Sequence, residues 1–262
     1  MFNKPRLLTP GPTPLPERVR LALAQDMIHH RKPGFKKILL ETETMLQKLF
    51  GTEQPVLPLS CSGTGAMTAA VHGLFLPGET VIVVNGGKFG ERWSKIAAVR
   101  GLKVVEIDVA WGQAVTPAQV EQALREHPEA KGVFMQVCET STAAQHPVEA
   151  IARLTRTREV LLVADGISAV GISPCPMDAW GIDCLLTGSQ KGLMVPPGMA
   201  LMALSARGVY ALCAHFLLTE ESGRMMMLLC VGAAIAVAVI VYAVLVLALR
   251  IVTRDDLALL PK

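Results

Sequence analysis

Short apolar runs alternate with amphipathic stretches between residues 56 and 164, and no other feature restricts the possible folds of this chain as much. The predicted strands are 56–60, 80–85, 103–107, 132–137 and 160–164, and the predicted helices are 63–75, 89–99, 117–126 and 147–157. Unbroken apolar strands separated by helices of about ten or more residues imply a parallel sheet covered on both faces. The sequence therefore predicts an α/β fold that binds its ligand at the carboxyl ends of the strands.

Length, charge and cysteine content narrow the class of protein. A chain of 262 residues can form one large α/β domain or two small ones. The formal net charge of +3 gives no indication of a nucleic-acid partner. The six cysteines contain no C-x-x-C pair, so we interpret them as reduced core thiols and predict no metal site. The N-terminus leads into prolines rather than an apolar signal segment, which favours a cytoplasmic location for the first two hundred residues.

Prolines dominate the stretch before the alternation. Residues 9–16 read Thr-Pro-Gly-Pro-Thr-Pro-Leu-Pro, and such a sequence lacks too many amide protons to form a helix or a central strand. We predict an extended arm, of a kind that often lies along a partner subunit, followed by helices over 16–27 and 35–50. In the second helix one face carries Ile38, Leu39, Thr42, Met45, Leu46 and Leu49.

An acid and an amine each follow a buried run. Asp165 ends the predicted strand 160–164, and Lys191 lies in a glycine-flanked loop just after the apolar run 182–186. Pyridoxal phosphate needs these two groups, since a lysine amine can hold its aldehyde as a Schiff base and an acid can keep its pyridine nitrogen protonated. Taken alone, Asp165 could equally be a turn residue.

Other candidate ligand groups also lie at predicted strand ends. Ser62, Gly63 and Thr64 begin a predicted helix, where amides and hydroxyls could bind a phosphate or could form an ordinary turn. Phe89 could stack on an aromatic ring or belong to the core. Thr140 could bond a cofactor oxygen or merely cap the next element.

In combination, these motifs resemble the class V pyridoxal-phosphate aminotransferases, and most of all their alanine–glyoxylate and serine–pyruvate branch. The motifs that carry the likeness are Thr9-Pro-Gly-Pro-Thr13, Ser62-Gly-Thr-Gly-Ala66, Asn85…Phe89-Gly-Glu-Arg92, Glu139-Thr-Ser-Thr142, Asp165-Gly-Ile-Ser-Ala-Val-Gly171, Gly188-Ser-Gln-Lys-Gly-Leu-Met194 and Pro196-Pro-Gly198. The resemblance covers roughly residues 5–205. It implies the three-layer large domain of the pyridoxal-phosphate-dependent transferase fold, with a mostly parallel sheet. Cysteine desulfurases share this fold, but a histidine typically precedes their lysine, whereas Gln190 precedes Lys191 here.

The resemblance also implies a role for each candidate residue. Lys191 would be the Schiff-base lysine and proton shuttle, and Asp165 would pair with the pyridine nitrogen. Phe89 would stack on the ring, and Thr140 would bond its phenolic oxygen. The phosphate would be held by Ser62, Gly63, Thr64 and Gln190. The family further implies small amino acid and 2-oxo acid substrates and a homodimer.

One residue departs from the family pattern inside the matched region. Ala143 stands where the family usually has glycine. If the backbone at this position needs a positive φ angle, alanine costs on the order of 1 kcal/mol of stability.

The likeness ends near Ser205, where a family member would continue into a small domain whose arginine grips the substrate carboxylate. We interpret 1–205 as an incomplete large domain and 206–224 as a linker or partial interfacial helix. Residues 225–249 carry no charge and are predicted to cross a membrane, and 250–262 form a short polar tail. This tail resembles the end of a polysaccharide or lipid exporter over a short stretch, so a fusion of two unrelated pieces is one hypothesis.

The expected function is transfer of an amino group from alanine or serine to glyoxylate or pyruvate. Without the small domain, we expect cofactor binding with little or no turnover. The alternatives are a non-catalytic membrane-anchored fusion or remnant, and another class V enzyme such as a lyase.

Overall fold

The computed structural model describes residues 7–218 of the chain. The strands are β1 Val56–Leu59, β2 Thr80–Asn85, β3 Lys103–Asp108, β4 Gly132–Gln136, β5 Cys138–Glu139, β6 Ala144–Gln145, β7 Leu161–Asp165, β8 Cys184–Gly188 and β9 Ala200–Leu204. The helices are α1 Glu17–Leu23, α2 Pro33–Phe50, α3 Gly63–Leu74, α4 Lys88–Arg100, α5 Pro117–Glu126, α6 Val148–Arg156, α7 Met177–Trp180 and α8 Ala206–Leu218.

A seven-stranded sheet has the order β1-β9-β8-β7-β4-β2-β3. Neighbouring strands from β3 to β8 are parallel, so the predicted mostly parallel α/β sheet is confirmed. β9 runs antiparallel to both β8 and β1, which the sequence did not predict, and the expectation that β1 pairs in parallel is wrong. The reason lies in the connection: the segment between β8 and β9 contains no crossover helix, and a parallel return would need one.

Helices cover both faces of the sheet and bury an apolar core on each side. On one face α3 and α4 pack against the strands, and the Trp93 and Phe75 rings lie 5.1 and 5.0 Å from the ring of Phe134 on β4. On the other face α5, α6 and α7 contribute the fully buried side chains Val120, Ile151 and Met177. Full burial of a side chain of this size stabilises the fold by about 1.5–3 kcal/mol.

Within the alternating region, local sequence signals predicted the ends of the strands and helices accurately. Every predicted strand and helix between residues 56 and 165 is present, with ends that agree to within about one residue. Thr116 forms a capping box with Gln119, and Ser62 caps α3. The first helix is shorter than predicted, since α1 ends at Leu23 and buries none of its side chains.

The apolar face of α2 is only partly buried. Leu46 and Leu49 pack against the core, whereas Ile38, Leu39 and Met45 remain 47%, 49% and 61% exposed. The helix meets the sheet at the edge strand β1, so only its last turns find apolar neighbours in the core. Periodicity showed which side chains share a face, and the position of the helix decided how many of them are covered.

The chain divides into two units, Met1–His215 and Phe216–Lys262. The predicted transmembrane helix 225–249 and the tail 250–262 lie outside the described residues. Within residues 7–218, no helix combines the length and the apolar character needed to cross a membrane. α8 occupies the first part of the stretch that we interpreted as a linker or interfacial helix.

Candidate active site

Asp165 and Lys191 both lie at the carboxyl edge of the sheet. Asp165 is the last residue of β7, and Lys191 follows β8 in the next loop. Both side chains are buried, with 3% and 8% exposure. The Asp165 Oδ1 atom accepts a hydrogen bond from the amide of Ile167 at 2.8 Å. Because β7 and β8 are neighbouring parallel strands, both groups lie at the same edge of the sheet, and each influences the pKa of the other.

Burial shifts the pKa values of both groups. Loss of solvent raises the pKa of Asp165 to about 7, and the Glu139 carboxylate pushes it in the same direction. The Ile167 amide, Arg92 and Lys191 oppose this rise. Burial also lowers the pKa of Lys191, against the opposing effect of Asp165. An acid that holds a proton near neutrality and an amine that loses one more readily are suited to proton transfer.

The proline arm contributes to this site, which the sequence did not reveal. The Thr13 amide donates to the carbonyl of Gln190 at 3.0 Å, and its hydroxyl donates to the carbonyl of Lys191 at 3.1 Å. Gly11 lies against the lysine side chain: a Cβ atom at this position would sit 2.5 Å from Cδ, 2.7 Å from Cε and 3.0 Å from Nζ of Lys191. The arm therefore packs on the reactive amine of its own chain.

Substitution of Gly11 by alanine should displace the Lys191 amine without unfolding the protein. The added methyl meets the flexible end of a side chain, so we expect a stability change below about 1 kcal/mol. A displacement of about 1 Å can slow a reaction about a hundredfold, so covalent capture of an aldehyde at Lys191 should slow by at least about tenfold. Stopped-flow absorbance after mixing with pyridoxal phosphate measures this rate. Gly34→Ala is the control, since its Cβ would meet nothing within 4 Å, and equal capture rates would contradict the prediction.

The N-terminus of α3 presents the predicted phosphate ligands. The Ser62 hydroxyl accepts from the Gly65 amide at 3.3 Å, so the ordinary role of a helix cap is present. That hydroxyl keeps its own proton free to donate, and the helix dipole favours an anion here. Gly63 packs against Ile167, where a Cβ would overlap the Ile167 Cδ1 atom. This contact brings the start of α3 against the loop that follows Asp165.

Phe89 and Arg92 lie on the first turns of α4. The Phe89 side chain is half-buried rather than part of the core. The Arg92 guanidinium lies 4.7 Å from the centre of the Phe89 ring, and its Nη1 donates to Thr64 Oγ1 at 2.8 Å. Arg92 thus joins α4 to α3 and adds a positive charge near Asp165, a role that sequence reasoning did not assign.

The hairpin of β5 and β6 brings Thr140 to the loop after Asp165. The Thr140 and Ser168 hydroxyls lie 2.5 Å apart. The partner of the Thr140 hydroxyl therefore lies in the loop after Asp165. Gln190 is half-buried and is held through its backbone carbonyl by Thr13.

Gln136 is a further site residue that the sequence did not single out. It pairs in register with Asp165 across β4 and β7, and its side chain is 1% exposed. Within the described residues, neither its Nε2 nor its Oε1 atom has a hydrogen-bond partner. A buried amide without a partner costs about 1–3 kcal/mol, so this pair of atoms beside Asp165 is suited to a polar ligand. The signal for it was a polar residue at the end of an apolar strand.

Ala143, at the end of the turn between β5 and β6, has a φ angle of 59°, so the positive φ that would strain an alanine is present. Ala143→Gly should therefore raise the free energy of unfolding by about 0.5–1 kcal/mol, because alanine is strained here and glycine is not. Urea denaturation measures this difference. Ala24→Gly is the control, since Ala24 has a φ angle of −88° and should gain nothing. An equal gain in both variants would contradict the prediction.

Comparison with known proteins identifies the family of this chain. A family model described as "Aminotransferase class-V" matches residues 11–212. The chain is 37% identical over 210 residues to the small subunit of a soluble hydrogenase from Synechococcus sp. (strain PCC 6716), covering 79% of this chain and 55% of that protein. It is 32% identical over 216 residues to L-aspartate–glyoxylate aminotransferase from Paracoccus denitrificans, covering 80% of this chain and 54% of that protein.

A solved structure is similar over the same region. The crystal structure of alanine–glyoxylate aminotransferase from Nostoc sp. matches with a TM-score of 0.77 and 31% identity, covering 81% of this chain and 57% of that one. The chain thus spans about half the length of the relatives that it matches.

Proposed function

Because the chain belongs to the class V aminotransferases, a family that uses pyridoxal phosphate, we propose that it binds this cofactor at Lys191 and takes part in amino-group transfer. The observation that carries the proposal is the burial of Asp165 and Lys191 at the same carboxyl edge of the sheet, where each influences the pKa of the other. The partnerless amide of Gln136 beside Asp165 and the hydroxyls at the start of α3 add polar groups that suit such a ligand.

The described residues fit the chemical parts of the cofactor. We propose that Lys191 holds its aldehyde and that Asp165 faces its ring nitrogen. Ser62, Gly63, Thr64 and Gln190 would hold its phosphate. Phe89 would stack on its ring, and Thr140 would bond its phenolic oxygen. When bound, pyridoxal phosphate supplies an aldehyde that carries the amino group and a ring that draws off electrons.

The protein's own contribution is the placement and transfer of protons. Burial lowers the pKa of Lys191, so its Nζ releases a proton more readily than an exposed lysine and can take it back. Asp165 has a pKa raised to about 7, so it can hold a proton or share one with a basic ring nitrogen. Burial of both groups keeps bulk water from competing for these protons.

The substrates are proposed from the relatives. The Paracoccus and Nostoc proteins carry the names of L-aspartate–glyoxylate and alanine–glyoxylate aminotransferases. We propose a small amino acid such as alanine or serine as donor and glyoxylate or pyruvate as acceptor. The resemblance assigns the arginine that grips the substrate carboxylate to a small domain after the matched region. We propose that the residues of the matched region attach the cofactor and move protons, and that the assembly is a homodimer.

Reductive trapping tests the proposal. The chain is mixed with pyridoxal phosphate, treated with borohydride and digested, and the modified lysine is identified by peptide mass. Modification concentrated at Lys191 is expected, because its amine is buried beside Asp165. Lys88 and Lys95 are internal references, since both are exposed and ion-paired with Glu91. Equal modification of these surface lysines and Lys191 would contradict the proposal. An assay with alanine and glyoxylate then separates an active enzyme from a remnant that binds cofactor without transfer.

A further inference from the structure

Glu139 is a buried carboxylate that the proposed chemistry does not use. It ends β5 and has no exposed surface. Its Oε2 atom accepts hydrogen bonds from the amides of Phe89 at 3.2 Å and Gly90 at 3.0 Å. Its Oε1 atom accepts from the amide of Ser141 at 3.0 Å and from the Ser141 hydroxyl at 2.6 Å. Both oxygens are thus occupied, and together they bind two different segments.

One of these segments is the N-terminus of α4. The first amides of a helix have no partner within the helix, and an anion placed there also interacts well with the helix dipole. The N-cap residue of α4 is Gly87, which has no side chain to provide a cap. A Cβ atom at Gly87 would lie 2.7 Å from both Cγ and Cδ of Glu139. The glycine therefore leaves space for a carboxylate that arrives from a distant part of the chain.

The other segment is the hairpin turn that carries Thr140. The Ser141 hydroxyl, which Glu139 orients, also accepts a hydrogen bond from the Lys88 amide at 3.0 Å. The hairpin and the start of α4 are therefore joined by direct and relayed hydrogen bonds. Phe89 and Thr140, the two residues proposed to contact the cofactor ring, lie one on each side of this junction.

We propose that Glu139 is a positioning residue that sets Phe89 and Thr140 relative to each other, so that both engage one cofactor ring. The inference rests on the proposed cofactor site. A neutral side chain would bind the amides of α4 less strongly, since hydrogen bonds to an ionised acceptor are roughly twice as strong as neutral ones. Loss of the carboxylate should therefore loosen the first turn of α4 while the sheet remains intact.

Hydrogen exchange of the cofactor-free protein tests the junction directly. In Glu139→Gln, the amides of Phe89 and Gly90 should exchange at least about tenfold faster than in the wild type. Amides of β2 and β4 should keep their wild-type rates. Glu91→Gln is the matched control: it removes a carboxylate charge next to the same amides, but Glu91 is 36% exposed and pairs with Lys88 and Lys95.

A second measurement connects the junction to the cofactor. After reductive attachment of pyridoxal phosphate, the circular dichroism of the bound cofactor reports how asymmetrically its ring is held. Glu139→Gln should reach the wild-type extent of attachment at Lys191 and lose part of this signal, and Glu91→Gln should keep it. If Glu139→Gln does not fold, Ser141→Ala removes the relayed bond and should give the same two changes.

The outcomes separate the two proposals. Unchanged exchange at Phe89 and Gly90, or faster exchange throughout the sheet, would overturn the positioning role. A normal cofactor signal in a variant whose helix turn has loosened would overturn it as well. Failure of the wild type to attach the cofactor would instead contradict the proposed function, and the exchange data would still decide whether Glu139 holds the turn.

Discussion

Replacing Asp165 with asparagine should raise the free energy of unfolding of the cofactor-free chain by roughly 2–4 kcal/mol at pH 8. The cause is the cost of ionising a buried acid. Its pKa rises from an ordinary value of 3.8 to about 7 in the folded chain. Asparagine carries no charge, and its side-chain oxygen can still accept the bond from the Ile167 amide.

The sign of the pH dependence follows from the direction of this pKa shift. Between about pH 4 and pH 7 the folded chain binds a proton at Asp165 that the unfolded chain has released. The wild type should therefore lose stability as pH rises through this window, and Asp165→Asn should lack this loss. The two proteins should differ little near pH 4 and most above pH 7.

Urea denaturation of both proteins across this pH range measures the effect. Asp26→Asn is the control, since it makes the same change at an exposed position. A constant difference between Asp165→Asn and the wild type at all pH values would count against a raised pKa of Asp165.

Asp165→Asn should also lower amino transfer by about a hundredfold or more, because an amide provides no negative charge opposite the ring nitrogen. A gain in stability joined to a loss of function is typical of residues kept for chemistry.

Lys191→Arg should abolish covalent attachment of pyridoxal phosphate and lower amino transfer by about 10²- to 10⁴-fold or more. Arginine retains the positive charge beside Asp165, but it stays protonated and does not condense with an aldehyde under these conditions. The variant therefore separates the charge of the lysine from its nucleophilic amine. Its stability should fall, because the larger cation must be accommodated where Lys191 is only 8% exposed.

Two measurements check this prediction, peptide mass after borohydride treatment and the rate of transfer from alanine to glyoxylate. Lys95→Arg is the matched control, because it changes an exposed lysine in the same way. Cofactor retained covalently by Lys191→Arg, or transfer at the wild-type rate, would show that the reactive amine lies elsewhere.

The positions of the two central residues of the proposed site were predictable because each ends or follows a strand. Asp165 ends β7 and Lys191 follows β8, and ligands bind at the carboxyl ends of parallel strands, so strand order alone predicts that the two groups meet. The contribution of Gly11 and Thr13 was not predictable, because a proline-rich arm has no periodicity that indicates its neighbours. Glu139 was quoted as part of a motif, but its bonds to Phe89 and Gly90 span about fifty residues of chain.

The amino-acid sequence by itself determined the alternation of strands and helices and the order of the site residues. Hydrophobic periodicity and turn residues act over a few neighbours, so these features can be read without knowledge of the tertiary fold. Only the tertiary structure decided the antiparallel course of β9, the exposed half of α2 and the junction at Glu139. Each of these depends on which distant segment packs opposite, and apolar patterning indicates that a face is buried without naming its partner.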